Sequence, residues 1–258
     1  MSIQNYNEVE EYYKNEILPL KDEILKRKYQ IVLTGALCVA KTTLINYLVK
    51  LFKEFKVHVV HEYLEADSEL GGIILNRFIY EKITPLSMQN CILDIYENEL
   101  KETISSIDNG IILYERIPDD NLAVFTNLAF KDNKLTSQEF EILYQRTIDI
   151  DKKYDIPSYI YNNSNFKRIV STDAVDTLLI ILKTIKEDIL NNINSRIIGL
   201  SVSLEVCKLR IKRRNRNGED AYKDEYLQDV INIYNRIYDK IETKNYKITL
   251  LNIGQFIE

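Results

Sequence analysis

Short, compact apolar runs recur along the chain, separated by longer stretches in which apolar residues return every three or four positions. The runs have the length of strands and the stretches the period of helices. Strands are predicted at 29–35 (YQIVLTG), 56–65 (KVHVVHEYLE), 109–116 (NGIILYER), 196–203 (RIIGLSVS) and 246–253 (YKITLLNI). Helices are predicted at 41–55, across 67–107 (clearest in SMQNCILDIYENELKETISSI), at 119–150, from 204 into a basic loop, and at 224–242. Residues 3–28 give one or two short helices, interrupted at Pro19. Strands alternating with helices imply an α/β fold, a five-stranded parallel sheet with helices on both faces. No linker or repeat divides the chain, so 1–258 reads as one domain with 1–28 as an N-terminal helical extension. The stretch 152–190 fits the alternation least and is read as an insertion. It can hold an extra strand and a helix starting at a cap such as Ser171, Thr172 or Asp173.

Composition narrows the setting. With 258 residues, 45% of them hydrophobic and 28% charged, the chain can bury a sizeable core. No apolar run approaches the length of a membrane span, and the polar, acidic first residues carry no secretory signal. Cys38, Cys91 and Cys207 are odd in number and far apart, which excludes a disulfide framework and a metal spacing. An intracellular, cytoplasmic location is expected. The net charge of −5 argues against bulk electrostatic binding of nucleic acid. The abundance of Ile, Asn, Lys and Tyr reflects an AT-rich genome and says nothing of chemistry.

The first chemical signal is GALCVAKTT, residues 35–43. A strand, Gly35, Lys41, Thr42 and a helix follow in the order of a phosphate-binding loop, G-x-x-x-x-G-K-[ST], with Thr43 next in line. Such a loop aims backbone N–H groups and a helix N-terminus at an anion. The lysine reaches the β and γ phosphates of ATP, and the threonine hydroxyl can hold Mg²⁺. Ala40 stands where the last glycine belongs. Its methyl costs little if φ is negative and about 1 kcal/mol or more if φ is positive. Two further signals sit at strand ends, where open parallel sheets bind ligands. Glu62, in VVHEYLEA, can take a proton from a substrate hydroxyl or be a solvated strand-end charge. Glu115 and Arg116 follow the third strand in ILYERIP. Finally RIKRRNRNGED places Arg210, Arg214 and Arg216 near Glu219. Such a cluster is a solvated face, a nucleic-acid patch or, beside a phosphate loop, a lid over the phosphates.

Taken in order, GALCVAKTT, HEYLE, SMQNCIL, YERIP, LSVSLEV and RIKRRNRNGED resemble the deoxynucleoside kinase family, the P-loop kinases that include insect deoxynucleoside kinase and the related thymidine kinases. The resemblance covers about 29–150 and 196–255. It implies ATP and Mg²⁺ as cofactors, a small-molecule deoxynucleoside as substrate, and a homodimer. Glu62 would then deprotonate the sugar 5′-hydroxyl, Arg116 would hold the 5′-oxygen and phosphate region, and Glu115 would help Thr42 place Mg²⁺. Gln89 would read the nucleobase edge, Tyr80 or Phe78 would line the sugar–base pocket, and Glu219 would meet the sugar 3′-hydroxyl. Arg214 and Arg216 would be lid residues around the phosphates. Tyr63 departs from the family's proline, Ile117 from its serine, and the segment 152–190 from its pattern. Other readings are a catalytically weakened relative with a binding or regulatory role, and a phosphotransferase acting on a nucleotide or a polynucleotide 5′ end. The latter needs a basic acceptor groove.

Overall fold

The structure, a computed structural model, describes residues 4–37, 39–66, 68–80, 82–104, 107–160, 165–170, 173–214 and 222–243. α1 (Gln4–Tyr12) runs through a π turn and a 3-10 turn at Pro19 into α2 (Lys21–Leu25), which leads into β1 (Lys28–Gly35). α3 (Lys41–Leu51) and β2 (Val57–Val60) follow, then α4 (Tyr63–Ala66), α5 (Ser68–Ile79) and α6 (Pro85–Ile104) before β3 (Gly110–Glu115). A helical turn, α7 (Pro118–Asp120), a π-helical segment (Asn121–Thr126) and α8 (Asn127–Lys131) lead to α9 (Ser137–Tyr154). β4 (Phe166–Val170), α10 (Ala174–Leu190), β5 (Ser195–Ser201), α11 (Leu204–Arg214) and α12 (Asp224–Glu242) follow.

The strands form one sheet in the order β2-β3-β1-β5-β4, and every pairing is parallel. Consecutive residues Tyr29 to Thr34 of β1 are all buried. Since they point alternately to the two sides, helices must cover both faces. The segment 152–190 supplies the extra strand and helix expected there. Among the described residues β4 is one of the two edge strands, and α10 is capped by Asp173, whose side chain accepts from the Val175 and Asp176 amides. The edge position explains how a strand reading FKRIV tolerates Lys167 and Arg168. The Arg168 guanidinium donates to Ser201, Asn235 and Asp239, tying β4 to β5 and α12. Of the five predicted strands, 246–253 lies outside the described residues, so the fifth strand seen here is β4. The N-terminal helices pack on the core. Val9, Tyr13 and Ile17 recur every fourth residue and are buried, with the Tyr13 ring 5.7 Å from Phe52 and 6.2 Å from Phe55. No helix among the described residues is long and apolar enough to cross a membrane.

A buried carboxyl pair joins α7 to α9. Asp119 Oδ2 accepts from Ser158 Oγ (2.8 Å) and from the amides of Tyr159 (2.7 Å) and Ile160 (3.0 Å), so Asp119 carries the charge. Asp151, 1% exposed, lies within hydrogen-bonding reach of Asp119, and among the described residues no N–H or O–H donor serves its oxygens. It must therefore hold the shared proton. Burial raises both groups, Asp119 to about 6 and Asp151 well above the carboxylate range, the latter also through the Asp119 charge. Folded-state values above the unfolded ones mean that the native pair binds the extra proton. Its contribution is full below about pH 4 and is lost as pH rises through 6 and beyond. Asp151→Asn keeps a donor for Asp119 without needing that proton. It should stabilise the protein by on the order of 1–2 kcal/mol at pH 8 and by almost nothing near pH 4. Denaturant titrations at the two pH values check this; equal effects at both would rule out the shared proton.

Candidate active site

The sheet register assembles the site before any side chain is considered. Leu33 pairs with Glu115, Gly35 with Leu200, and Val60 with Tyr114. The carboxyl ends of three strands thus bring the phosphate loop, Glu115–Arg116 and His61–Glu62 to one edge. A cavity of about 1080 Å³ opens there. Lys41, Thr42, Glu62, Glu115, Arg116 and Asp120 line one part of it. Leu75, Phe78, Met88, Ile92, Leu93 and Phe125 also line it, together with Gln89 and Asn121.

The loop is built as the motif requires. Gly35 has φ 146°, and a Cβ there would lie 2.5 Å from the Leu200 carbonyl oxygen, so no other residue fits. Ala40 caps α3 in the left-handed conformation, φ 74° and ψ 23°. The methyl therefore carries the cost foreseen for a positive φ. Relieving it with Ala40→Gly gains about 1–2 kcal/mol, less about 0.4–1 kcal/mol for the freer unfolded chain. A net stabilisation of up to about 1.6 kcal/mol is expected in denaturant titration. A destabilised variant would show that the alanine is not strained.

Four charged groups meet behind the loop. The Arg116 Nε lies 3.2 Å from Glu62 Oε2, as an ion pair without hydrogen-bond alignment, and Lys41 Nζ lies 4.0 Å from the same oxygen. Lys41 Nζ also donates to the Ala36 carbonyl (3.4 Å), and Arg116 Nη2 to that of Gly35 (3.4 Å). Lys41 is 5% exposed, and burial and the Arg116 charge push its pKa down, against Glu62 and Glu115. The Arg116 guanidinium lies over the Phe125 ring at 4.9 Å. Thr42 Oγ1 donates to Glu115 Oε1 at 2.5 Å. Among the described residues the second Glu115 oxygen is buried without a hydrogen-bond donor, with His61 Nδ1 3.9 Å away. Burial opposes the Glu115 charge, but His61, Lys41, Thr42 and Arg116 together hold its pKa below the usual value. A hydroxyl and a carboxylate with a free oxygen suit a hard divalent cation.

The structure gathers Ala40, Lys41, Thr42, Thr43, Glu62, Phe78, Gln89, Glu115, Arg116 and Arg210 around this cavity. Gly35 shapes the loop from beneath. The Gln89 side chain is 4% exposed, and its carbonyl oxygen has no partner among the described residues. Tyr80 is a correction: it is 70% exposed and turned away, with Lys82 over its ring. It lies just past the end of α5, two residues beyond Phe78, and that spacing on a helix points to different sides. The Arg214 side chain, Arg216 and Glu219 lie outside the described residues. Sequence reasoning missed Asp120, Asn121 and Phe125. An acidic pair after proline reads as an ordinary helix start, and Asn121 and Phe125, four residues apart, line the cavity from the π-helical segment that follows.

Solved structures provide the comparison. A deoxyadenosine kinase from M. mycoides with bound dCTP aligns over 88% of this chain and 96% of its own, with TM-score 0.53 and 14% identity. The chain has a deoxynucleoside kinase-like fold. The same enzyme with bound dATP aligns over 83% of this chain and 84% of its own, with TM-score 0.49 and 16% identity. No family model matches the chain, and none of the curated proteins compared with it does. The kinase fold thus rests on architecture, and the roles of individual residues rest on the site's own chemistry.

Proposed function

We propose that the protein transfers the γ-phosphoryl group of ATP to the 5′-hydroxyl of a deoxynucleoside. The observation that carries this reading is the placement of Glu62: a carboxylate between Arg116 and Lys41, in a cavity whose apolar side chains surround Gln89, an amide whose oxygen has no partner among the described residues. Phosphoryl transfer asks a protein for positioning and charge neutralisation more than for covalent chemistry. Glu62 accepts the proton of the attacking hydroxyl. Arg116 neutralises charge on the oxygen it leaves behind, and Lys41 offsets charge on the transferring group. Thr42 and Glu115 would hold Mg²⁺, which when bound spreads the phosphate charge. Gln89 and Asn121 present neutral donors and acceptors among apolar side chains, which suits a nucleobase better than an acceptor bearing its own phosphate. Arg210, on α11, adds a cation to the lining of the same cavity.

The strained Ala40 favours a second reading, a nucleotide-binding protein with little turnover. An acceptor panel separates the readings. ADP release should be stimulated by at least one deoxynucleoside and not by nucleoside monophosphates or a 5′-hydroxyl oligonucleotide. Stimulation by the oligonucleotide alone would replace the acceptor, and binding of ATP with no stimulation by any acceptor would support the second reading.

A further inference from the structure

Arg116 points into the cavity from a backbone that L-residues avoid. Its φ is 68°, in the left-handed region. Three hydrogen bonds hold it there. The Arg116 amide donates to the Leu33 carbonyl (3.0 Å), the Tyr96 hydroxyl donates to the Arg116 carbonyl (3.2 Å), and the Ile117 amide donates to Asp120 Oδ2 (3.1 Å). Isoleucine cannot cap the turn that follows, so the carboxylate three residues on reaches back to its amide, as the acidic half of a capping box does.

Asp120 does more than close this turn. It is 1% exposed, and its other oxygen accepts from the hydroxyls of Thr34 and of Tyr159, the latter at 3.2 Å. Thr34 is the residue of β1 immediately before Gly35, where the phosphate loop begins. Tyr159 lies in the segment after α9. One buried carboxylate thus ties the strand feeding the phosphate loop to the peptide that sets the direction of Arg116. We propose that Asp120 is a positioning residue, aligning Arg116 with Glu62 and the phosphate loop through the Ile117 amide and the Thr34 hydroxyl. Burial raises the Asp120 carboxyl above its ordinary value, while Thr34, Arg116, Ile117 and Lys41 oppose that shift. The group therefore depends on these partners for its charge, and they depend on it for their geometry.

The inference rests on the kinase reading for its catalytic consequence but not for its geometry, and the test uses both. Full-length Asp120→Ala and Asp120→Asn are compared with wild type by hydrogen–deuterium exchange over Tyr114–Asn121 and by steady-state phosphorylation of a deoxynucleoside. Asp120→Ala should speed exchange at the Ile117 amide and lower kcat by about 10–10²-fold, the cost of a small misplacement, with KM for the nucleoside little changed. Asp120→Asn keeps an acceptor for Ile117 and should restore most of the protection and of the turnover. Should the alanine variant fail to fold, Thr34→Val removes one arm of the tie and should lower kcat without a matching rise in KM. Unchanged exchange, or wild-type kcat in Asp120→Ala (in Thr34→Val, should the alanine variant not fold), overturns the positioning role. Faster exchange together with a wild-type protein that phosphorylates nothing leaves the geometry standing and defeats the kinase reading instead.

Discussion

Glu62→Gln is expected to lower kcat for nucleoside phosphorylation by about 10²-fold or more, the usual scale for loss of a general base. Glutamine keeps the size of the side chain and its hydrogen-bonding reach, so nucleoside binding should persist with KM changed little. The substitution also leaves Arg116 and Lys41 without the carboxylate that separates them, 3.2 and 4.0 Å away. Two buried cations then face one another, and the variant should be less stable than wild type. The effect on turnover should persist at temperatures where the variant is fully folded. Turnover near wild type there would remove Glu62 from the mechanism and leave it as the partner of Arg116.

Lys41→Ala should be as damaging to turnover and opposite in its effect on the fold. Burial and a neighbouring arginine both disfavour the ammonium, so the free protein gains little from it. Removing it leaves Glu62 still paired with Arg116, and the variant should be at least as stable as wild type in a denaturant titration. Its kcat should fall by about 10²–10³-fold, the scale for losing one preorganised group that acts on transition-state charge. Calorimetry should show weaker ATP binding as well. A less stable variant with intact turnover would mean that Lys41 serves the fold.

Much of this site could be read from the chain, for identifiable reasons. A compact, mostly apolar strand ended by glycine, with Lys-Thr opening a helix, admits few folds, and the strand-end carboxylates follow once the sheet is parallel. β4 was harder to read, because an edge strand needs no apolar alternation and FKRIV reads as polar. The conformation of Ala40 is set by how the loop closes on α3, and the residue types alone left the sign of φ open. Phe78 and Tyr80 were equivalent as aromatics and are separated only by helix geometry. The local signal of Asp120 reads only as a helix start: beyond the Ile117 amide, its hydroxyl partners are 86 residues before it and 39 after.

The most direct measurement is ³¹P NMR of the wild-type protein incubated with ATP, Mg²⁺ and each of the four deoxynucleosides in turn. A deoxynucleoside 5′-monophosphate resonance growing in equal amount with ADP, absent when Glu62→Gln is used for the same period, is the expected result. ATP that remains intact with all four, or is hydrolysed to phosphate without a 5′-monophosphate, would contradict the assignment of this cavity to deoxynucleoside phosphorylation.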